Sequence, residues 1–282
     1  KNATGYDFRH LMIGSEGTLG LIVEVDIRLT SPPPPQIVMV LAVEHSKDLI
    51  KVLKEFSQRM PLSAFEFFSD LALSKVLDHR ELKAPFDRRS PFYALLEFDA
   101  LQVEEAGKAF EVCEKAAWVQ DAVLSQTENQ SRELWQLREG ISESIASYTP
   151  YKNDLSVRIE DVPEFLEEVD AYVANSYPDF EVCWYGHIGD GNLHLNILRP
   201  EKLSIENFFE LGHEMSPRIF DLVSNKRGSI SAEHGVGLLK KDFLSFTRSD
   251  EEIRIMRSIK SIFDPHQILN ADKLIPARVG TD

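Results

Sequence analysis

The sequence predicts an α+β protein: an antiparallel sheet with helices on one face, built from two ferredoxin-like β-α-β units. Three observations carry this. Apolar runs of strand length alternate with segments of helical spacing along most of the chain. Several neighbouring strands are joined by short turns rather than crossovers, which favours antiparallel pairing. A stiff, extended proline stretch, "SPPPPQ" at 31–36, marks a boundary near the start.

The elements follow in order. "LGLIVEVDIRLT" (19–30) reads as a strand running into the prolines. "IVMVLAVE" (37–44) is a strand, followed by the helical "SKDLIKVLKEFSQRM" (46–60) with Ser46 as its cap. "PFYALLEFDA" (91–100) is a second strong strand, and "QVEEAGKAFEVCEKAAW" (102–118) its helix. "DLSVRIE" (154–160) is a third strand, leading into "DVPEFLEEVDAYVANSY" (161–177), whose proline falls early, where a helix tolerates it. A hairpin around "GDGN" (189–192) comes next, then the long helix "SIENFFELGHEMSPRIFDLVSNKR" (204–227). "GSISAEHGVGLLKKDFL" (228–244), a last helix over 250–263 and "DPHQILNADKLIP" (264–276) complete the chain.

Composition bounds the function. The 282 residues suffice for one large or two modest domains. With 31 basic against 46 acidic residues the net charge is −15, which argues against nucleic acid and against an anionic membrane surface. No apolar run approaches the ~20 residues of a membrane span. The two cysteines, Cys113 and Cys183, lack zinc-type spacing and fit a reduced cytoplasm better than a disulfide framework. The chain opens at Lys1, without a signal-type segment and already inside a dense motif. It reads as a piece of a longer protein.

One stretch carries chemistry. With "GDGN" as a four-residue loop, Ile188 pairs with Leu193 and His187 sits opposite His194, close enough for both rings to reach one small object. Asn196, two residues on, shares the face of His194. In "SAEHGVG" (231–237), Glu233 stands among small residues, followed by His234 and two glycines. His187, His194 and Glu233 make a two-histidine, one-carboxylate set, which leaves coordination positions open on a metal ion. The bland alternatives are half-buried histidines on a polar sheet face, a capping glutamate and a surface His234. In "LWQLREGISESIAS", Leu134, Leu137, Ile141 and Ile145 form a buried stripe. Arg138 and Ser142, four apart, share another face, which by itself reads as solvated. Lys152, in "YKNDLSV", precedes a strand and reads equally as a surface lysine. From these residues alone a metallohydrolase and a non-catalytic metal-binding module stay open.

Together, "TGYDFRHLMIGSEGTLG", "LREGISES", "YKNDLS", "GHIGDGNLHLN", "SAEHGVGLLKK" and "DPHQILN" resemble the FAD-linked oxidase family of the vanillyl-alcohol-oxidase type. That family includes D-lactate dehydrogenases, the glycolate oxidase flavoprotein subunit and D-2-hydroxyglutarate dehydrogenases. "LSAFEFF", "SPFYALLE" and "SISAEHGVG" are most similar to the last branch. The resemblance implies an FAD-dependent 2-hydroxy-acid dehydrogenase of which this is the C-terminal part. Residues 1–33 would be the tail of the FAD-binding domain, 34–265 the substrate or cap domain, and 266–282 a segment returning to the flavin. Residue by residue, it implies His187, His194 and Glu233 as ligands of a divalent metal, zinc first, with manganese or iron accepting the same set. Arg138, Ser142, Lys152 and Asn196 would hold the substrate, with His234 as substrate contact and general base. Gly14, Ser15, Glu16, Gly17, Thr18, Gly20 and Asn270 would lie at FAD. Ser142 replaces a threonine of some relatives, and Asn-Ala-Asp-Lys from Asn270 departs from the family's Asn-Pro-Gly-Lys. The implied partners are a small 2-hydroxy acid and an electron acceptor such as an electron-transfer flavoprotein or a quinone, with a homo-oligomer compatible. The implied location is the cytoplasm, or the mitochondrial matrix where a transit peptide precedes.

Overall fold

The computed structural model describes residues 4–276, so the outermost parts of the two terminal segments, 1–3 and 277–282, lie outside the described residues. After a short helix α1 (Phe8–Met12) come β1 (Gln36–Val43), α2 (Ser46–Arg59), β2 (Ala64–Ser69), α3 (Asp70–His79), β3 (Phe92–Asp99), α4 (Val103–Lys115) and β4 (Asp121–Leu124). Helices α5 (Glu128–Glu139) and α6 (Ile141–Ser144) lead to β5 (Tyr151–Ser156), α7 (Val162–Ser176), β6 (Glu181–Gly186), β7 (Asn192–Leu198), α8 (Ile205–Asn225) and α9 (Asp250–Phe263).

Among the described residues seven strands form one antiparallel sheet in the order β4-β1-β3-β2-β6-β7-β5. The first four give the 4-1-3-2 order of a ferredoxin-like unit, with α3 inserted between its second and third strands. The last three repeat the pattern as 2-3-1, and the missing fourth strand survives as one antiparallel bridge, Ser156 to Ser229. The units meet edge to edge through two pairs, Phe67–Gly186 and Phe68–Tyr185. Both expected ferredoxin-like units are therefore present.

Period-2 alternation sorts the side chains. Met39, Leu41 and Val43 of β1 face one apolar cluster, Val38, Val40 and Ala42 the other. The expected helical face holds α2, α4, α7 and α8, with Phe56, Ala109, Phe165 and Met215 fully buried against the sheet. Each large apolar side chain buried there contributes about 1.5–3 kcal/mol. The other face carries a smaller layer that the sequence reading did not place: the insert α3 and the linker helices α5 and α6, through Leu73, Val76, Leu137 and Ile141. This layer leaves the β6-β7-β5 end of that face without a covering helix, and the cleft described below forms there.

Four local expectations are corrected. Residues 19–30 form no strand among the described residues. Leu21, Ile22, Val23, Val25, Ile27 and Leu29 are all exposed, because strand propensity without a neighbouring ladder does not make a strand. His45, not Ser46, precedes α2 as its cap, and the buried Ser46 hydroxyl instead donates to Glu167 at 3.1 Å. The third strand begins at Tyr151, so Lys152 lies within it. The hairpin register differs by two: His194 pairs with Tyr185, not His187. The His187 carbonyl accepts from both Asp190 and Asn192 amides, which closes the loop over 188–191, one residue earlier than expected. Gly191 there has φ +81°, and a Cβ would lie 2.2 Å from the Val157 carbonyl oxygen, so only glycine fits. A shift by two preserves which face each residue takes. His187 and His194 remain neighbours, their ring centroids 5.3 Å apart.

Candidate functional site

The floor of the cleft is two rows of paired residues. Asp154, His194, Tyr185 and Phe68 stand abreast on β5, β7, β6 and β2; Lys152, Asn196 and Cys183 form the next row. Helices α5 and α6 bring Arg138 and Ser142 over one side, and the loop 231–237 crosses the other. Arg138, Ser142, Lys152, His187, His194, Asn196, Glu233 and His234 all line a single cavity of about 490 Å³. The eight substrate- and metal-site candidates are thus brought together from segments up to 96 residues apart (138 to 234).

Glu233 Oε1 is the focus of the histidines. It lies 3.8 Å from His187 Nε2, 3.5 Å from His194 Nε2 and 3.3 Å from His234 Nε2. Ligand atoms bonded to one ion at about 2.0–2.2 Å stand roughly 3–3.5 Å apart, so the Glu233 oxygen lies at or near that spacing from each of the three imidazole nitrogens. His187 Nδ1 is 2.8 Å from Glu66 Oε1, which leaves Nε2 as the nitrogen turned to Glu233. Glu66 hydrogen-bonds His187 and raises its pKa. Burial, reinforced by the positive Arg138, pushes that of His194 down to about 4, so His194 is neutral and its lone pair available at pH 7.

Asp154 also has an oxygen within 4.8 Å of donor atoms of His194, Glu233 and His234, and this mutually close set, which leaves out His187, is a rival to the predicted ligands. Its carboxylate is already engaged. Oδ2 accepts from the Glu233 and His234 amides at 2.8 and 2.9 Å, and Oδ1 from Asn192 Nδ2 at 2.7 Å. Burial pushes its pKa up, but these donors outweigh burial and hold it below the ordinary value. We therefore place Asp154 behind the site, where it fixes the loop that carries Glu233 and His234. Lys240, at the loop's far end, donates to the Asp154 and Ile230 carbonyls at 3.1 and 2.7 Å.

Arg138 is only 7% exposed, so the solvated reading of its helix face does not hold. Its Nη2 is 2.9 Å from Glu66 Oε2 and its guanidinium carbon 4.7 Å above the Tyr185 ring. That ion pair lacks hydrogen-bond geometry, and Nε and Nη2 make no hydrogen bond. A buried cation with unused donors is costly unless a ligand completes it. Lys152 Nζ donates to Ser142 Oγ at 3.1 Å, which adds a second cation to the same wall. Asn196 is buried, its Nδ2 donating to the His194 carbonyl at 3.1 Å.

The candidates at 14–20 and Asn270 form a separate knot. Gly14 and Gly17 have φ of +81° and +70° in a tight turn, and Thr18 Oγ1 donates to the Ser15 carbonyl at 2.6 Å. Gly20 closes the segment against Met12 Sδ. The Asn270 side-chain amide donates to the Glu16 carbonyl, and Lys260 Nζ to those of Thr18 and Leu269 at 2.8 and 2.7 Å. The Glu16 carboxylate turns to the 231–237 loop and accepts the Val236 and Gly237 amides at 2.7 and 2.8 Å.

Two residues escaped sequence reasoning, Glu66 and Asp154. The signal was there: each is a single acid inside an otherwise apolar or alternating strand, "AFEFFS" and "YKNDLS". A buried carboxylate in a strand needs a partner, and its partners here are the site residues.

A double ferredoxin-like sheet with this cleft on its open face defines the class of protein. Residues 32–274 match the family described as FAD linked oxidases, C-terminal domain, and the chain belongs to that family. Among individual relatives, it is 50% identical over 280 residues to a D-2-hydroxyglutarate dehydrogenase of Stutzerimonas stutzeri (strain A1501), covering 98% of this chain and 60% of that protein. It is 37% identical over 288 residues to the mitochondrial D-2-hydroxyglutarate dehydrogenase of Arabidopsis thaliana, covering 98% of this chain and 49% of the relative. The chain thus spans between about half and three-fifths of these relatives' lengths. A solved structure of 4-ethylphenol oxidase from Gulosibacter chungangensis shares the fold at a TM-score of 0.62 and 14% identity, over 90% of this chain and 56% of that one. Among the described residues no helix is long and apolar enough to cross a membrane.

Proposed function

We propose that this chain is the substrate- and metal-binding part of an FAD-dependent D-2-hydroxy-acid dehydrogenase, oxidising D-2-hydroxyglutarate to 2-oxoglutarate. The observation that carries the reading is the pairing, in one cavity, of a buried guanidinium with unused donors and a His187–His194–Glu233 cluster. The first suits a carboxylate; the second suits a divalent cation such as zinc, manganese or iron.

The donor chemistry fits a metal: one imidazole is fixed as an Nε2 ligand by Glu66, the other is kept neutral by burial, and a carboxylate oxygen faces both. When bound, the cation supplies Lewis acidity toward the substrate's hydroxyl and carboxylate, and FAD accepts the two electrons. The chain's own residues do the rest. Arg138, with Lys152 and Ser142 beside it, grips the distal carboxylate and thereby favours a diacid over lactate or glycolate. Asn196, pinned by its bond to the His194 carbonyl, presents its side-chain oxygen from the floor of the cleft. His234, exposed and next to Glu233, takes the hydroxyl proton on an imidazole nitrogen as the C2 hydrogen leaves with its electron pair.

We assign residues 1–33 and 266–282 to the flavin side and 34–265 to the substrate side, with an electron-transfer flavoprotein or a quinone as reoxidant. The bond from Asn270 to the Glu16 carbonyl, which joins the two end segments, supports this division. The test is to mix the intact flavoprotein anaerobically with D-2-hydroxyglutarate, D-lactate and glycolate in turn and follow flavin bleaching, before and after chelation. Bleaching by D-2-hydroxyglutarate, abolished by chelator and restored by metal, is expected. Preference for lactate or glycolate refutes the diacid assignment; bleaching untouched by complete metal removal refutes the metal.

A further inference from the structure

Glu66 belongs to the first ferredoxin-like unit, yet its side chain reaches the cleft of the second. It lies on β2 next to the two-pair seam with β6, where continuing the register sets it across from His187. At 6% exposure it divides its two oxygens: Oε1 stands 2.8 Å from His187 Nδ1 and Oε2 2.9 Å from Arg138 Nη2. Burying a carboxylate is unfavourable without partners, and the partners here are one candidate metal ligand and one candidate anion grip.

We propose that Glu66 is a positioning residue shared by the two halves of the site. It fixes His187 as an Nε2 ligand and tempers the charge that Arg138 presents to a substrate carboxylate. The inference rests on the metal reading above and adds a coupling between metal and anion that runs through one side chain. A hydrogen-bonded carboxylate behind a ligating histidine sets the ring's orientation and strengthens it as a donor. The same carboxylate, ion-paired with Arg138 off hydrogen-bond geometry, neutralises the guanidinium without using its Nε and Nη2 hydrogen bonds. Glu66 thus works in opposite directions: it favours the cation at His187 and competes with the anion at Arg138.

Opposite signs give the test its edge, because general loosening of the cleft weakens both ligands. In the intact protein, Glu66→Gln keeps volume and one acceptor but removes the charge; Glu66→Ala removes both. Zinc affinity is measured by chelator competition, and affinity for glutarate, a dicarboxylate with no hydroxyl to oxidise, at saturating zinc. Glu66→Ala is expected to weaken zinc about 10–100-fold, as loss of such outer partners does, with Glu66→Gln between it and the wild type. Both variants should bind glutarate at least about threefold more tightly, as removal of a neighbouring negative charge implies. Zinc binding within twofold of wild type in both variants overturns the proposal while leaving the metal reading intact, and so does weaker glutarate binding. A wild-type protein that binds no zinc overturns both. Should neither variant fold, nitrogen-15 NMR of histidine-labelled, zinc-loaded wild type decides: His187 metallated at Nε2 and protonated at Nδ1 is expected, and metallation at Nδ1 refutes it.

Discussion

Asp154 offers the sharpest test of how the loop carrying Glu233 and His234 is held. The carboxylate is 3% exposed and accepts three hydrogen bonds, from the Glu233 and His234 amides and from Asn192. Asp154→Ala leaves all three donors without this acceptor, the Asn192 amide in a buried position and the two loop amides in partly buried ones. Hydrogen bonds to a charged acceptor are worth about 1.5–3 kcal/mol each but are not additive, and breaking such a network costs about 3–5 kcal/mol in all. Asp154→Asn behaves differently. Its carbonyl oxygen can keep both backbone amides, while its NH2 meets Asn192. The Asn192 side-chain oxygen has no partner in the native cleft, so rotating that amide half a turn converts a donor–donor clash into a hydrogen bond. The rotation gives up the 3.3 Å bond from Asn192 Nδ2 to the Leu155 carbonyl. Asp154→Asn should therefore cost about 1–2 kcal/mol, the worth of that bond and the lost charge. Denaturant melts of the two variants, paired with zinc titrations, measure both the cost and the placement of Glu233. Equal destabilisation of the two, or wild-type zinc affinity in Asp154→Ala, would refute the reasoning.

Two further predictions separate chemistry from stability. His194→Ala should abolish zinc binding and turnover together, whereas His234→Ala should keep zinc and lower kcat by about 10²–10⁴-fold, the usual worth of a positioned general base; zinc content and kcat of the purified variants decide. Asp170 hydrogen-bonds the Trp184 indole at 2.7 Å, and burial raises its pKa from 3.8 to about 6. With the folded value above the unfolded one, its contribution is full below about pH 4 and is lost as pH rises through about 6. Asp170→Asn keeps the acceptor without the charge, so it should stabilise by about 1–3 kcal/mol at pH 8 and by little at pH 4.5, read from denaturation midpoints.

Much of this was legible from local pattern. Strand and helix periodicity identified both ferredoxin-like units, and the side-chain alternation put His187 and His194 on one face even though the turn begins one residue earlier than assumed, which shifts the pairing by two. An odd error would have turned one histidine to the opposite face. What local pattern lacked was partnership. Residues 19–30 have strand composition but no described neighbour to pair with, and Arg138 looked solvated because the carboxylate that buries it lies 72 residues earlier (138 less 66). Glu66 and Asp154 were invisible as site residues for the same reason, since only tertiary pairing sets them behind His187 and beneath the 231–237 loop.

The fastening of that loop has a consequence for anyone who would recombine such proteins. One end is tied to β5 through Asp154, the other to Glu16, which precedes the proline stretch at 31–36. That stretch is the obvious crossover point for a chimaera, being extended and exposed. A swap made there would give the loop a foreign residue at position 16 and, where that residue is no acceptor, leave the adjacent Val236 and Gly237 amides unpaired on the same loop as His234. Position 16 and residues 233–237 therefore have to be inherited together. The heritable unit of specificity is larger than the folded unit that contains the cleft.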